Sequence, residues 1–123
     1  AAIEAVRLVR TPAFLAHARR IGDVLREELT RMQASSQLVG DVRGLGPMLL
    51  VELVTDRTAR TPAPAHALAI IKRAVSNGVV LIRAGLYSNC IRFMPPLSIG
   101  EDELREAVGV VGEALAHVER HGP

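Results

Sequence analysis

An amphipathic stripe near the start of the chain constrains the fold more than any other feature of the sequence. Its apolar residues recur at intervals of three and four, the spacing of one helix face, and are Phe14, Ala18, Ile21, Leu25, Leu29 and Met32. Thr11 and Pro12 precede the stripe, as an N-cap followed by a proline in the first turn. The pattern predicts a long helix, ending near residues 34–37, with one face buried.

Similar periodicity predicts three further helices. A short helix covers residues 2–10, and a second covers residues 65–77 with its inward positions at Leu68, Ile71 and Val75. The last helix begins at the acidic residues 101–103, because carboxylates are favourable at a helix N-terminus. Its apolar stripe consists of Leu104, Ala107, Val108, Val111, Leu115 and Val118.

Short apolar runs between these helices predict strands over residues 39–43, 48–54, 79–82 and 91–94. The glycines of residues 44–47 favour a hairpin reversal between the first two strands. A phosphate loop there is disfavoured, because no further glycine completes the pattern and a strand follows. Residues 55–64 are polar, carry two prolines and are predicted as a loop. The order indicates an α+β fold, with a small, mostly antiparallel sheet of about four strands and helices packed on one face.

Composition excludes several classes of protein. The 123 residues predict one domain spanning residues 1–123. Fifteen basic residues oppose thirteen acidic ones, and aromatic side chains are few, so neither a nucleic acid nor a membrane surface is an expected partner. No apolar run reaches the roughly 20 residues that span a bilayer.

The single cysteine, Cys90, excludes an internal disulfide and fits a reducing compartment, so a cytoplasmic location is predicted. Its position within a predicted strand favours a buried, inert thiol. The chain enters a helical pattern at Ala1 without a methionine or a capping residue. We therefore expect it to be a piece of a longer polypeptide.

Most titratable residues show no pattern of a site. The four histidines include one pair at helical spacing, His117 and His121, for which a solvated surface is favoured over zinc, and no metal site is predicted. Glu52 lies inside an apolar strand, where it either pairs with Arg43 or another base or faces water at a strand edge. Lys72 is the only lysine, and its mid-helix position predicts an exposed side chain rather than a Schiff base.

Arg92 is the strongest candidate for a binding residue. It lies within an apolar run, residues 85–97, that ends in Pro95 and Pro96. A buried guanidinium requires an anion, because an unpaired buried charge is costly. The residues alone favour a structural carboxylate as that anion and leave a ligand carboxylate as the alternative.

Three blocks of sequence carry a resemblance to a known family. They are residues 41–48 with Val51-Glu52-Leu53, residues 77–79, and residues 92–99 before an acidic helix start. Together the blocks resemble the C-terminal small domain of class III, pyridoxal-phosphate-dependent aminotransferases of fold type I. Their order and spacing match over nearly all of the chain, which is more specific than any single motif.

The run from Gly85 to Arg92 is most similar to the 4-aminobutyrate aminotransferase branch, through Tyr87, Asn89 and Ile91. Acetylornithine and ornithine aminotransferases share the arginine and the Pro-Pro-Leu, and remain an alternative. The resemblance implies that Arg92 binds the α-carboxylate of 2-oxoglutarate or glutamate as a bidentate fork. It also implies that Gly85, Tyr87 and Asn89 lie on the approach to the active site.

The resemblance implies an enzyme that needs more than this chain. Its parent would be an oligomeric transaminase that moves an amino group from 4-aminobutyrate, or a similar ω-amino acid, to 2-oxoglutarate with pyridoxal 5'-phosphate. In the family, the Schiff-base lysine and the cofactor-binding groups belong to a preceding large domain, and the context of Lys72 does not match. We therefore assign no catalytic or cofactor-binding residue here, and expect the chain alone to be inactive and not to bind the cofactor. A free-standing α+β binding or dimerisation module is the alternative.

Overall fold

Four helices and five strands alternate along the chain in the computed structural model, which describes residues 1–123. The helices are α1 (Ala2–Val9), α2 (Pro12–Ser35), α3 (Pro64–Ser76) and α4 (Glu101–His121). The strands are β1 (Val39–Leu45), β2 (Met48–Asp56), β3 (Thr61–Pro62), β4 (Ile82–Ala84) and β5 (Cys90–Phe93). The predicted α+β class is confirmed. None of the helices is both long and apolar enough to cross a bilayer.

All strand pairs in the sheet are antiparallel. The strands lie in the order β1-β2-β5-β4, and β3 adds a short pair to the far end of β2. β1 and β2 form the predicted hairpin, in which Leu45 lies opposite Met48 and only Gly46 and Pro47 form the turn. The first strand therefore runs two residues further than its sequence pattern predicts.

One face of the sheet carries the hydrophobic core. Alternate residues of β2 and β5 turn towards the helices and are at most 6% exposed: Leu49, Val51, Leu53, Ile91 and Phe93. They pack with the apolar stripes of α2 and α4 in one cluster. The helices thus cover one face of the sheet, as predicted, and we call the other side the open face, defined by Asp41, Arg43, Leu45, Met48, Leu50, Glu52, Ile82 and Arg92.

The long helix α2 begins and packs as its sequence predicts. The Thr11 hydroxyl accepts a hydrogen bond from Phe14 N at 3.4 Å, and Ile21, Leu25 and Leu29 are fully buried. Gly22 lies where α2 crosses the β1–β2 turn, and a Cβ there would lie 2.6 Å from the carbonyl carbon of Gly46. Only glycine allows this close approach of helix and turn.

Ion pairs join α2 to the beginning of α4. Arg20 Nε and Nη2 donate to the two carboxylate oxygens of Glu101 at 2.6 and 2.9 Å. Arg105 of α4 reaches back to Glu28 of α2. The hydrogen bonds and charge of Arg20 lower the pKa of Glu101 below its usual range.

Helix α3 presents a different face to the core from the predicted one. Ala67, Ile70 and Ala74 are buried, whereas Leu68 is 37% and Val75 48% exposed. The prediction of Leu68 and Val75 as inward positions was therefore wrong. Both sets of positions have helical spacing, and the small alanines allow α3 to pack closely against its neighbours.

The strand predicted over residues 79–82 was also misplaced. β4 begins at Ile82, which lies opposite Arg92, and Val80 is 83% exposed. β4 is an edge strand whose position is set by pairing with β5, which no local pattern reveals. The predicted loop over residues 55–64 contains the end of β2 and all of β3, with Asp56 opposite Thr61.

Candidate functional site

Strand β5 places Arg92 on the open face of the sheet. Ile91 and Phe93 point into the core, so the alternation of a strand turns Arg92 the other way. Arg92 pairs across the ladders with Leu50 of β2 and Ile82 of β4. The guanidinium therefore belongs to a surface with apolar side chains on both sides.

Arg92 has no structural acceptor for part of its guanidinium group. Its Nε is buried and is the only buried side-chain nitrogen or oxygen in the chain without a hydrogen-bond partner. Leaving a buried donor unpaired costs about 1–3 kcal/mol, and more for a charged group. No group of this chain supplies the acceptor that this donor lacks.

The carboxylates of the open face are already engaged by another arginine. Arg43 Nη1 lies 2.8 Å from Asp41 Oδ2 and 2.6 Å from Glu52 Oε2, and Arg60 approaches Glu52 at 3.9 Å. The hydrogen bonds to Asp41 and Glu52 raise the pKa of Arg43. Arg92 is consequently the arginine of the open face that has no carboxylate of its own.

Sequence reasoning found half of this ion cluster. Glu52 pairs with Arg43, which is one of the two alternatives that the sequence left open, and Asp41 binds the same arginine. The signal was available in the sequence, because residues 41 and 43 lie two apart and share one face of a strand.

The residues predicted on the approach to the active site lie in the β4–β5 turn and at its edge. Tyr87 is 63% exposed, and Gly85 is exposed with φ of +84°. Asn89 is only 2% exposed, and its Nδ2 donates to the Leu53 carbonyl at 2.9 Å. The structure brings Gly85 and Asn89 together against Cys90, and leaves Tyr87 facing solvent.

Cys90 lies on the same side of the sheet as Arg92 but is 3% exposed. Burial raises the pKa of its thiol. A neutral, covered thiol is a poor nucleophile, which agrees with the predicted structural role.

An apolar cavity of about 240 Å³ lies on the helix-covered side of the sheet, between the segment of residues 79–82, the end of β5 and α4. Arg92 is the one charged residue in a lining that is otherwise dominated by aliphatic side chains and prolines. Nothing in the spacing of the apolar stretches predicted the cavity.

The other titratable residues form no second site. No group of three or more histidine, cysteine, aspartate or glutamate side chains could hold a metal ion. The rings of His117 and His121 lie 4.6 Å apart at the end of α4. Lys72 is exposed on α3 and lines neither cavity. Since a Schiff-base lysine is usually desolvated, the residues of this chain do not fit covalent attachment of pyridoxal phosphate.

The fold and the position of Arg92 can be compared with known proteins. The family described as Aminotransferase class-III matches residues 1–115. The chain belongs to the class-III aminotransferase family. The predicted resemblance is thereby confirmed over most of the chain.

Several relatives of this class-III chain are aminotransferases. A 4-aminobutyrate aminotransferase of Mycobacterium bovis is 34% identical over 94% of the chain, which covers 26% of that protein. Alanine–glyoxylate aminotransferase 2 homolog 2 of Arabidopsis thaliana is 40% identical over 71% of the chain, which covers 18% of that protein. The chain thus spans about a quarter or less of the curated relatives that it resembles.

The structural comparison agrees with the sequence comparison. The omega transaminase from Pseudomonas jessenii, solved in complex with PMP, superimposes with a TM-score of 0.86 at 29% identity. The match covers 97% of this chain and 26% of the transaminase. The class-III chain therefore has the fold of one part of a larger transaminase.

Proposed function

We propose that residues 1–123 form the C-terminal, substrate-carboxylate-binding small domain of a pyridoxal-phosphate-dependent transaminase. The parent protein would move an amino group from 4-aminobutyrate, or a similar ω-amino acid, to 2-oxoglutarate. The observation that carries this proposal is the buried, unpartnered Nε of Arg92 on the open face. The family match and the names of the relatives support the reaction class.

The role of Arg92 would be to bind and orient the carboxylate of the keto acid. A planar guanidinium offers two parallel N–H donors to a carboxylate, which fixes direction as well as position. Leu50 and Ile82 flank Arg92 across the sheet, and apolar neighbours strengthen such a contact by excluding water. The cofactor, when bound in the parent protein, supplies the electron sink of transamination.

The remainder of the parent polypeptide, including its large cofactor-binding domain, is the proposed cover of the open face. Leu45 is 84% and Met48 53% exposed there, and contiguous exposed apolar surface is typical of an interaction site. The proposal includes a cytoplasmic, homo-oligomeric parent, in which the cofactor lysine comes from the large domain.

One comparison favours a second donor and acceptor pair. The 40% identical relative is named an alanine–glyoxylate aminotransferase. Glyoxylate also carries a carboxylate that Arg92 could bind, so the site itself does not select between the two acceptors. Assay of the full-length parent with 2-oxoglutarate and with glyoxylate distinguishes them.

Substitution of Arg92 tests the proposal directly. In the full-length parent, Arg92→Ala is expected to lower kcat/KM of the keto-acid half-reaction through a loss of about 2–5 kcal/mol of transition-state stabilisation, the usual loss on removing one partner of a buried charge pair. The donor half-reaction, with an ω-amino acid, should change much less. Stopped-flow absorbance of the cofactor follows the two half-reactions separately.

Arg83→Ala is the matched control for this experiment. Arg83 is an exposed arginine of the adjacent strand β4, and its register opposite Ile91 places it off the open face. Its removal should leave both half-reactions unchanged. Equal kinetics for Arg92→Ala and Arg83→Ala would make Arg92 a structural residue and contradict the proposal.

A separate experiment tests the prediction that the chain does not bind the cofactor alone. After incubation of the 123-residue chain with pyridoxal phosphate and borohydride, no stoichiometric adduct at Lys72 is expected. Intact mass and peptide mapping give the readout. A specific adduct at Lys72 would refute this prediction.

A further inference from the structure

The β4–β5 turn is attached to β2 through one buried side chain, that of Asn89. Asn89 Nδ2 donates to the Leu53 carbonyl at 2.9 Å, and the backbone carbonyl of Asn89 accepts from Leu53 N at 2.8 Å. The regular β2–β5 ladder ends at the neighbouring residue, Cys90, which lies opposite Glu52. Asn89 therefore extends the ladder by one pair of residues, Asn89 and Leu53. One of the two hydrogen bonds of this pair is made by the Asn89 side chain instead of the backbone.

The turn itself closes in one arrangement against Cys90. Gly85 has φ of +84°, and a Cβ there would lie 2.7 Å from Cys90 Sγ. Ser88 also has a positive φ, of 55°, and its N–H donates to Gly85 O at 3.0 Å. Because the positive φ of Gly85 suits glycine and the contact leaves no room for a side chain, the turn delivers Asn89 to Leu53 in a fixed register.

The register of β5 determines where the guanidinium of Arg92 lies. Arg92 is three residues beyond Asn89 on a strand of only four residues. A slip of one residue would turn Arg92 to the helix-covered face. A slip of two residues would move it by roughly 7 Å along the open face.

We propose that Asn89 is a positioning residue for Arg92, which acts by fixing the register of β5 through Leu53. This inference rests on the proposed function only in taking Arg92 as the carboxylate-binding group. In this inference Asn89 acts through a buried hydrogen bond and does not contact the substrate directly. The side chain is buried and its amide nitrogen is already engaged by a backbone carbonyl.

The first test uses the 123-residue chain and is independent of any enzymatic activity. Hydrogen exchange of the Arg92 Nε–H is measured by nitrogen-15 NMR, with the resonance assigned by its loss in Arg92→Lys. Asn89→Ala should accelerate this exchange by about ten-fold or more, because a local opening exposes the buried donor. Unchanged exchange would overturn the proposal.

Gln33→Ala is the matched control variant. Like Asn89, Gln33 has a side-chain amide that donates to a strand carbonyl, Gly40 O at 3.3 Å. Gln33 is partly buried and lies at the far edge of the sheet. Its loss should lower stability without accelerating exchange at Arg92. Equal acceleration in both variants would show general destabilisation and overturn the positioning role. If Asn89→Ala does not fold, Asn89→Leu, which keeps the branch at Cγ but has no donor, is measured against the same control.

The second test uses the full-length parent. Asn89→Ala should raise the KM for 2-oxoglutarate by about ten-fold or more, since a displacement of about 1 Å in a binding group can cost this much. The kinetics of the donor half-reaction should be unchanged. A parent without keto-acid activity would refute the proposed function, while the exchange experiment would still decide on Asn89. A parent in which Arg92→Ala impairs the acceptor and Asn89→Ala does not would refute only the positioning role.

Discussion

The two faces of the sheet are built from the same strands but have opposite characters. On the helix-covered face, Val51 is 6% and Ile91 2% exposed, within one hydrophobic cluster. On the open face, Ile82 is 49% and Leu45 84% exposed, and charged side chains lie among them. The comparison teaches that the hydrophobic core and most of the charged side chains of the sheet are separated across a single layer of strands, with Arg92 on the side that contributes little to the core.

The largest expected difference is between two isoleucines of adjacent strands. Ile91→Ala removes a buried side chain and should lower the free energy of unfolding by about 2–5 kcal/mol. Ile82→Ala removes a half-exposed side chain of the open face and should cost well under half of that. Urea denaturation of the 123-residue chain measures both. Equal losses would show that the open face belongs to the core.

The next largest effect on stability is expected at Gly22, on the helix-covered side. Gly22→Ala forces a Cβ to within 2.6 Å of the Gly46 backbone, and such overpacking should cost about 1–3 kcal/mol despite the better helix propensity of alanine. Gly109→Ala in α4 has open space around its Cβ. It should therefore stabilise the chain by roughly 0.5–1 kcal/mol. Thermal denaturation compares the two, and stabilisation by Gly22→Ala would disprove the close approach of α2 to the turn.

The ion cluster of the open face should contribute less to the free energy of unfolding. Arg43 is about half exposed, and exposed ion pairs contribute about 0–1 kcal/mol. Arg43→Ala should therefore lower the free energy of unfolding by less than Ile91→Ala. Added salt should make the loss caused by Arg43→Ala smaller still. A loss comparable to that of Ile91→Ala would mean that the cluster, rather than the helix layer, holds the sheet together.

The smallest effect is a dependence on pH at the outer edge of the helix layer. Arg20 lowers the pKa of Glu101 in the folded chain, so the folded state binds this proton less readily than the unfolded state. The contribution is present above the ordinary glutamate pKa of about 4.3 and is lost as the pH falls through the lower folded value. Glu101→Gln should remove this part of the acid-limb dependence and leave stability at higher pH nearly constant with pH. An unaltered acid limb would contradict the assignment.

The choice of Arg92 as a candidate from the sequence rested on a signal that the residue itself carries. An arginine in an apolar strand, closed by two prolines, pointed to Arg92, and the pairing of β5 with β2 then placed it on the open face. The unpaired Nε was not predictable, because no local spacing shows which donors remain without an acceptor once the strands have paired. The buried bond of Asn89 to Leu53 joins residues 36 positions apart, which no local spacing reveals.

The sequence by itself determined the helices, the β1–β2 hairpin and the α+β class, because local periodicity and turn chemistry specify them. Tertiary structure decided which face of α3 is buried and where β4 begins, since two registers of each element satisfy the same periodicity. It also decided which arginine of the open face keeps a free donor. Those outcomes depend on close packing and on which side chains the paired strands bring together, and both exist only once the sheet has assembled.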